Sequence, residues 1–328
     1  MKKQYFKFLN HKFPVNKKKY LLDLLSPTTK GTKYYEPKPS GKITKIQAGR
    51  IVLQCHQILS IFKSLNISLK NKSMLDIGTG NGMVPKVMLE ISDIKEALGT
   101  DPFLDGEHKT SWQKHNHDEA ISLVRKIIKQ SRNILNAHTY KKNLKFENFS
   151  FYPIPIKINK KKNKSYRFKQ IDAHKIGKLN KKFDIIYCKA IEHINDWENV
   201  IKNISLISKK KTIVYFKHRS FFSYLGPHRY SSTFIPWGHL LLKDKEIRSY
   251  VKQFHKEREK DFLNFYFKGL SYPRTTVNEF LTICQKQGFI VKGIQIEKSK
   301  NAIKTNKFIR NIKNFWSIVW KNYPRVSA

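Results

Sequence analysis

Acidic residues are scarce in this chain. Only 24 Asp and Glu stand against 65 Lys and Arg, giving a formal charge of +41 over 328 residues and a pI near 10.1. Such a balance ordinarily points to nucleic acid or an anionic surface. Arginine is also scarce, however: 11 of the basic residues are Arg and 54 are Lys. Phosphate readers favour the bidentate guanidinium fork, so a lysine excess accompanied by many Ile and Asn reads as compositional drift. The charge can still steer acidic substrates or membrane surfaces towards the protein. Cysteine is limited to Cys55, Cys188 and Cys284, far apart and in no C-x-x-C arrangement. That argues against a disulfide framework and a zinc site and fits a reducing cytoplasm. No stretch approaches the roughly 20 apolar residues of a membrane span, and lysines interrupt the first 25 residues before a signal-peptide core can form. The expectation is a soluble, cytoplasmic protein. What is present is ample for a core, at 40% hydrophobic and 13% aromatic residues, in one large α/β domain with additions or two small ones.

The most informative stretch is Met74-Leu75-Asp76-Ile77-Gly78-Thr79-Gly80-Asn81-Gly82. Leu75 and Ile77 fit a buried strand, three alternate glycines form a bare loop, and Val84, Val87, Met88 and Ile91 recur at helical spacing. Glycines there let a ligand lie against the main chain. A dinucleotide fingerprint, G-x-G-x-x-G, would need glycine at Met83 or Pro85, and neither position has it. The run D-x-G-x-G-x-G resembles the first motif of the class I S-adenosylmethionine-dependent methyltransferases. The resemblance covers about residues 44–296 and implies S-adenosyl-L-methionine as cofactor. It also implies a Rossmann-like, doubly wound, seven-stranded α/β sheet with an antiparallel last strand, here carrying helical insertions and terminal extensions.

Read in order, residues 1–40 form an irregular N-terminal arm with a short helix over 19–25, and 44–65 carry a helical apolar stripe. Residues 94–101 read as a second strand ending in Asp101, about twenty residues after Gly80, the spacing at which an acid takes ribose hydroxyls; Asp105 competes for that role. The methyltransferase domain, 41–300, carries insertions at about 104–165 and 217–270, the first holding a helix over 118–135 and a lysine-rich run over 157–164. His108, His115 and His117 lie beside Trp112 without a carboxylate or cysteine at regular ligand spacing, so no metal site is expected. A third strand over 166–171 ends at Asp172-Ala173, where the resemblance implies an acid for the adenine amino group. Residues 183–188 are apolar enough to be buried on both faces. They run into Lys189 and the pair Glu192-His193, which the resemblance places at the reaction cleft. A helix over 197–208 and a strand over 212–216 follow. The last elements are a helix over 275–287, a strand over 289–296 and a basic helical tail over 301–328.

The resemblance assigns the cofactor to Asp76, Gly78, Thr79, Gly80, Gly82, Asp101, Asp172, Ala173 and Lys189. A general base is needed only for a hydroxyl or protonated amine acceptor, and His193, His228 and His239 are the candidates because imidazole titrates near neutrality. Arg219, Arg229 and Arg274 offer docking for an anionic group, so a small-molecule or glycan acceptor is favoured. Two alternatives stay open. One is RNA or DNA methylation, against which no Asn-Pro-Pro-Tyr or Asp-Pro-Pro-Tyr run follows the fourth strand. The other is a binding protein that keeps the fold without catalysis.

Overall fold

The computed structural model describes residues 4–8, 11–15, 45–80, 82–102, 117–130, 144–147, 158, 164–189, 191–223, 226, 233, 235, 237–256, 259–264, 266–267 and 274–297. In chain order these form β1 (Gln4–Phe8), β2 (His11–Val15), α1 (Lys45–Ser64), β3 (Ser73–Ile77), α2 (Met83–Ile91) and β4 (Glu96–Asp101). Next come α3 (His117–Gln130), β5 (Leu144–Glu147), β6 (Ser165–Gln170), a 3-10 helix (Ala173–Leu179), β7 (Phe183–Cys188) and a 3-10 turn (Ile191–His193). The chain continues through α4 (Trp197–Leu206), β8 (Ser208–Phe216), α5 (Gly238–Leu241), α6 (Asp244–Phe254), α7 (Glu259–Asn264), α8 (Val277–Lys286) and β9 (Ile294–Glu297).

Five strands make one parallel sheet in the order β6-β4-β3-β7-β8. The chain builds outward from β3 through β4 to β6, then returns to the other side of β3 for β7 and β8. That reversal leaves a crevice at the carboxyl ends of β3 and β7, where open α/β sheets take their ligands. Strand alternation explains why both faces are covered. Met74, Ala97, Ile185 and Tyr187 pack into a core with α1, α2 and α3 through Val52, Cys55, Phe62, Val87, Met88 and Val124. Leu75, Ile77, Ile186 and Cys188, on the opposite face, meet Ile176, Val200, Ile204, Phe280 and Cys284 of the 3-10 helix, α4 and α8. The amino ends are stitched together by Asp184, whose Oδ2 accepts from Ser73 N, Ser73 Oγ and Lys209 Nζ at 3.0, 2.8 and 2.8 Å. Those donors hold its carboxyl well below the usual range against the opposing pull of burial.

A second apolar cluster lies in the segment after β8. Phe221, Ile235, Leu240, Ile247, Tyr250 and Phe262 are buried together, and Phe6 from β1 is buried with them. Phe6 meets Tyr250 edge-on at 5.5 Å and Phe254 at 6.1 Å.

The doubly wound α/β architecture agrees with the sequence reading, with three differences. The described residues form a five-stranded parallel sheet, not a seven-stranded one with an antiparallel last strand. β9 satisfies its hydrogen bonds antiparallel to β5 instead, pairing Leu144 with Glu297 and Glu147 with Ile294. The arm, expected to be irregular, contains the β1–β2 hairpin, in which Phe6 pairs with Phe13. β8 begins at Ser208, earlier than expected. The helix expected over 19–25, His108, His115, Trp112, Asp105 and the tail over 301–328 lie outside the described residues, as does most of the lysine-rich run.

Candidate functional site

The loop between β3 and α2 bends through three left-handed glycines, Gly78 (φ 67°), Gly80 (φ 56°) and Gly82 (φ 69°). Thr79 N–H donates to Thr100 O of β4 at 2.9 Å, tying the loop to the next strand, and Gly82 N–H closes a turn on Thr79 O at 3.1 Å. Gly80 N–H donates to Asp101 Oδ2 at 2.9 Å, so the acid ending β4 is tied to the middle of the loop. A Cβ on Gly80 would meet nothing within 4 Å, which leaves its Cα facing open space as a cofactor cradle requires. Gly82 differs: a Cβ there would lie 2.0 Å from the Tyr166 hydroxyl, and one on Gly99 would lie 2.7 Å from it. Tyr166, reaching in from β6, therefore supports the loop from the core side.

Asp76 is buried, and its Oδ2 accepts from Thr79 Oγ1 at 2.7 Å. The Tyr166 hydroxyl comes near the Thr79 side chain as well, both lying within 3.0 Å of a Cβ built on Gly99. Burial pushes the Asp76 carboxyl up to about 7, with Asp101 adding to the rise, against the Thr79 hydroxyl and Lys189. The acid thus holds a loop hydroxyl, and Asp101 holds the loop amide.

Across the crevice, Lys189 follows β7 and donates to Gln54 Oε1 of α1 at 2.9 Å. Gln54 Nε2 donates to the Tyr187 hydroxyl at 2.6 Å. Lys189 counts as exposed over the whole residue. Desolvation of its ammonium is nevertheless the main cause holding its pKa below the ordinary range, with Lys217 next. Glu192 lies largely buried near Arg219, and burial pushes it up to about 7. Its Oε2 has no hydrogen-bond partner among the described residues. His193 Nε2 is 4.0 Å from Glu192 Oε1. Just beyond β8, His218 is edge-on to Trp197 at 5.3 Å and stacked with Phe280 at 6.1 Å. Neither of its ring nitrogens has a partner among the described residues, and burial pushes its pKa down to about 4.

Asp172 sits one residue before the 3-10 helix and caps it, accepting from His174 N at 2.8 Å and pairing with His174 Nδ1 at 2.5 Å. Partial burial raises its pKa, but the His174 contacts outweigh this and hold it below the usual range. Ala173 is buried beside it.

The structure brings Asp76, Thr79, Gly80 and Asp101 together by hydrogen bonds, with Lys189 near enough to act on Asp76, and Glu192 and Arg219 near enough to act on Lys189. It sends His239 elsewhere: this residue is buried in the second apolar cluster region, its Nε2 2.6 Å from Phe221 O, and burial pushes its pKa down to about 4. Its role there is packing, because an imidazole fixed to a main-chain carbonyl in a core is not presented to a substrate. Arg274 is paired with Asp244 at 3.0 Å and lies over the Phe221 ring. His228 and Arg229 lie outside the described residues. Sequence reasoning missed Tyr166 and Gln54, whereas His218 lies in the run 217–230 after β8, whose histidines, arginines and aromatics mark a loop for substrate groups.

A glycine loop opening a crevice at the strand reversal, with an acid tied to its middle amide, defines a nucleotide-binding α/β enzyme. The family described as methyltransferase domain matches residues 54–253, more than half of the chain. The chain belongs to that family, enzymes that take a methyl group from S-adenosylmethionine. No curated protein matches it in sequence. Among solved structures it is similar to the YcgJ protein of Bacillus subtilis, at 13% identity and a TM-score of 0.34 over 71% of this chain and 67% of that one. It is also similar to an S-adenosylmethionine-dependent methyltransferase of Clostridium acetobutylicum, at 16% identity and a TM-score of 0.28. That match covers 51% of this chain and 49% of the other, so the chain spans about half of the Clostridium protein's length.

Proposed function

We propose that this chain transfers the methyl group of S-adenosylmethionine to a small-molecule or sugar acceptor in the crevice between β3 and β7. The observation that carries the reading is the open Gly80 cradle with Asp101 bonded to its amide. Asp76, Gly78, Thr79, Gly80 and Gly82 shape the loop for the cofactor's amino-acid end, and Lys189 lies across from them. Asp101 takes the ribose hydroxyls, and Asp172 with Ala173 takes the adenine. The cofactor supplies a methyl group already activated by its sulfonium, so holding the acceptor in line supplies much of the catalysis. Where the acceptor is a hydroxyl or a protonated amine, His193 and the adjoining Glu192 receive its proton. Glu192 suits that work because burial pushes its carboxyl up to about 7, close to neutral pH. The lack of a membrane-spanning helix among the described residues and the cationic groups beside the crevice fit a cytoplasmic enzyme with an anionic acceptor.

Calorimetry with S-adenosylmethionine tests the cofactor site, where Gly80→Arg fills the cradle and abolishes binding. Tritium from labelled cofactor, followed into fractionated cell extract, tests the acceptor. Label in the glycan, lipid or small-molecule fractions supports the reading, and label in RNA or DNA overturns it.

A further inference from the structure

Lys189 and Lys217 each follow directly on one of two paired strands. In their register Cys188 lies opposite Phe216, and Lys217 N–H donates to Cys188 O at 2.9 Å. The two lysines are therefore set side by side at the crevice, an arrangement of like charges that costs energy on neighbouring strands. The fold supports this arrangement with neutral groups. Lys189 Nζ donates to Gln54 Oε1 at 2.9 Å, and Lys217 Nζ donates to Gln57 Oε1 at 3.2 Å. Gln54 and Gln57 are three residues apart on α1 and so share one face of that helix. Neither lysine makes a direct ion pair with a carboxylate among the described residues. Arg219 adds a third cation, near enough to oppose the charge on Lys189. The two acids that act on Lys189, Asp76 and Glu192, are both pushed up to about 7 by burial, so neither offsets its charge fully at neutral pH.

We propose that Lys189, Lys217 and Arg219, with the two lysines presented by Gln54 and Gln57, bind a doubly charged oxyanion on the methyl acceptor, a phosphate monoester group. This rests on the acceptor crevice proposed above and names its chemistry. The global charge of +41 attracts anions everywhere. A site is distinguished from that background by its dependence on particular side chains.

The test titrates inorganic phosphate, at constant ionic strength, into the full chain saturated with S-adenosylhomocysteine, whose own carboxylate occupies the cofactor's place. Wild type binds phosphate, and Lys217→Gln or Arg219→Gln weakens it about ten-fold, as loss of one charge-assisted hydrogen bond implies. Lys202→Gln, an exposed lysine on α4, leaves it unchanged. Lys217→Gln melts no lower than wild type, because it removes a like-charge neighbour. Equal phosphate affinity in Lys217→Gln overturns the proposal, as does an equal loss in Lys202→Gln. Displacement of S-adenosylhomocysteine by phosphate assigns the lysines to the cofactor and overturns it too. Failure of wild type to bind S-adenosylhomocysteine at all overturns the cofactor reading instead.

Discussion

Three glycines share a left-handed backbone but differ in what surrounds them, and alanine at each separates strain, packing and ligand space. Gly288, just past α8, has φ +82° and nothing within 4 Å of a built Cβ. Alanine there reports the backbone cost alone, about 1–2 kcal/mol. Gly80, at φ +56°, is equally open, so Gly80→Ala costs the same stability. Its new methyl enters the cradle and weakens S-adenosylmethionine at least about ten-fold, the equivalent of about 1.4 kcal/mol. Gly82, at φ +69°, puts a Cβ 2.0 Å from the Tyr166 hydroxyl and 2.9 Å from Tyr166 Cζ. The ring must move, which adds about 1–3 kcal/mol for overpacking. Gly82→Ala is therefore expected to be about 1–3 kcal/mol less stable than Gly288→Ala in urea unfolding at constant m-value. Tyr166→Phe in the same chain recovers part of the loss by removing the nearer atom. Equal stability of the Gly82 and Gly288 variants, or wild-type cofactor affinity in Gly80→Ala, would refute the reasoning.

The remaining expectations concern charge and packing. Asp76 titrates at about 7 in the fold against 3.8 ordinarily, so the folded state holds the extra proton and stability falls as pH rises from about 4 to 7. Asp76→Asn removes a penalty on the order of 4 kcal/mol at pH 8, which urea unfolding at pH 5 and pH 8 reads; a variant with the wild-type pH slope counts against it. Cofactor affinity should fall as pH drops below 7, since the cationic ligand prefers the ionised acid, and calorimetry across that range measures it. His218→Phe keeps the ring contacts with Trp197 and Phe280 and deletes two nitrogens that have no partner among the described residues, so it should raise stability by about 1 kcal/mol in a thermal melt. Phe6→Ala opens a cavity in the second apolar cluster at a cost of about 3–5 kcal/mol, and limited proteolysis should then cut residues 217–267 before the sheet.

The loop after β3 was legible because its signals are local: an apolar strand, alternate glycines and a helical stripe within twenty residues. Asp101 could be nominated from spacing, since a βα unit fixes how far the next strand's end lies along the chain. Tyr166 could not, because its work depends on β6 lying beside β4, where its hydroxyl reaches Gly82 and Gly99. His239 misled for a related reason. A histidine among aromatics in a loop reads the same whether the loop faces a crevice or folds into its own core, and the bond to Phe221 O decides for the core. The partner of β9 lies inside the stretch read as an insertion, where the alternation Leu144-Lys145-Phe146-Glu147 is too short to stand out, and the described residues form five parallel strands beside it.

Phe6 and Tyr250 touch although more than two hundred residues separate them along the chain. Every strand of the parallel sheet has been synthesised by Phe216, whereas the apolar cluster around Phe221 needs both the earliest hairpin and α6 before it can close. During translation the five strands and the helices of one face can thus come together first, while Phe6 waits for α6 and the opposite face of the sheet waits for Phe280 and Cys284 of α8.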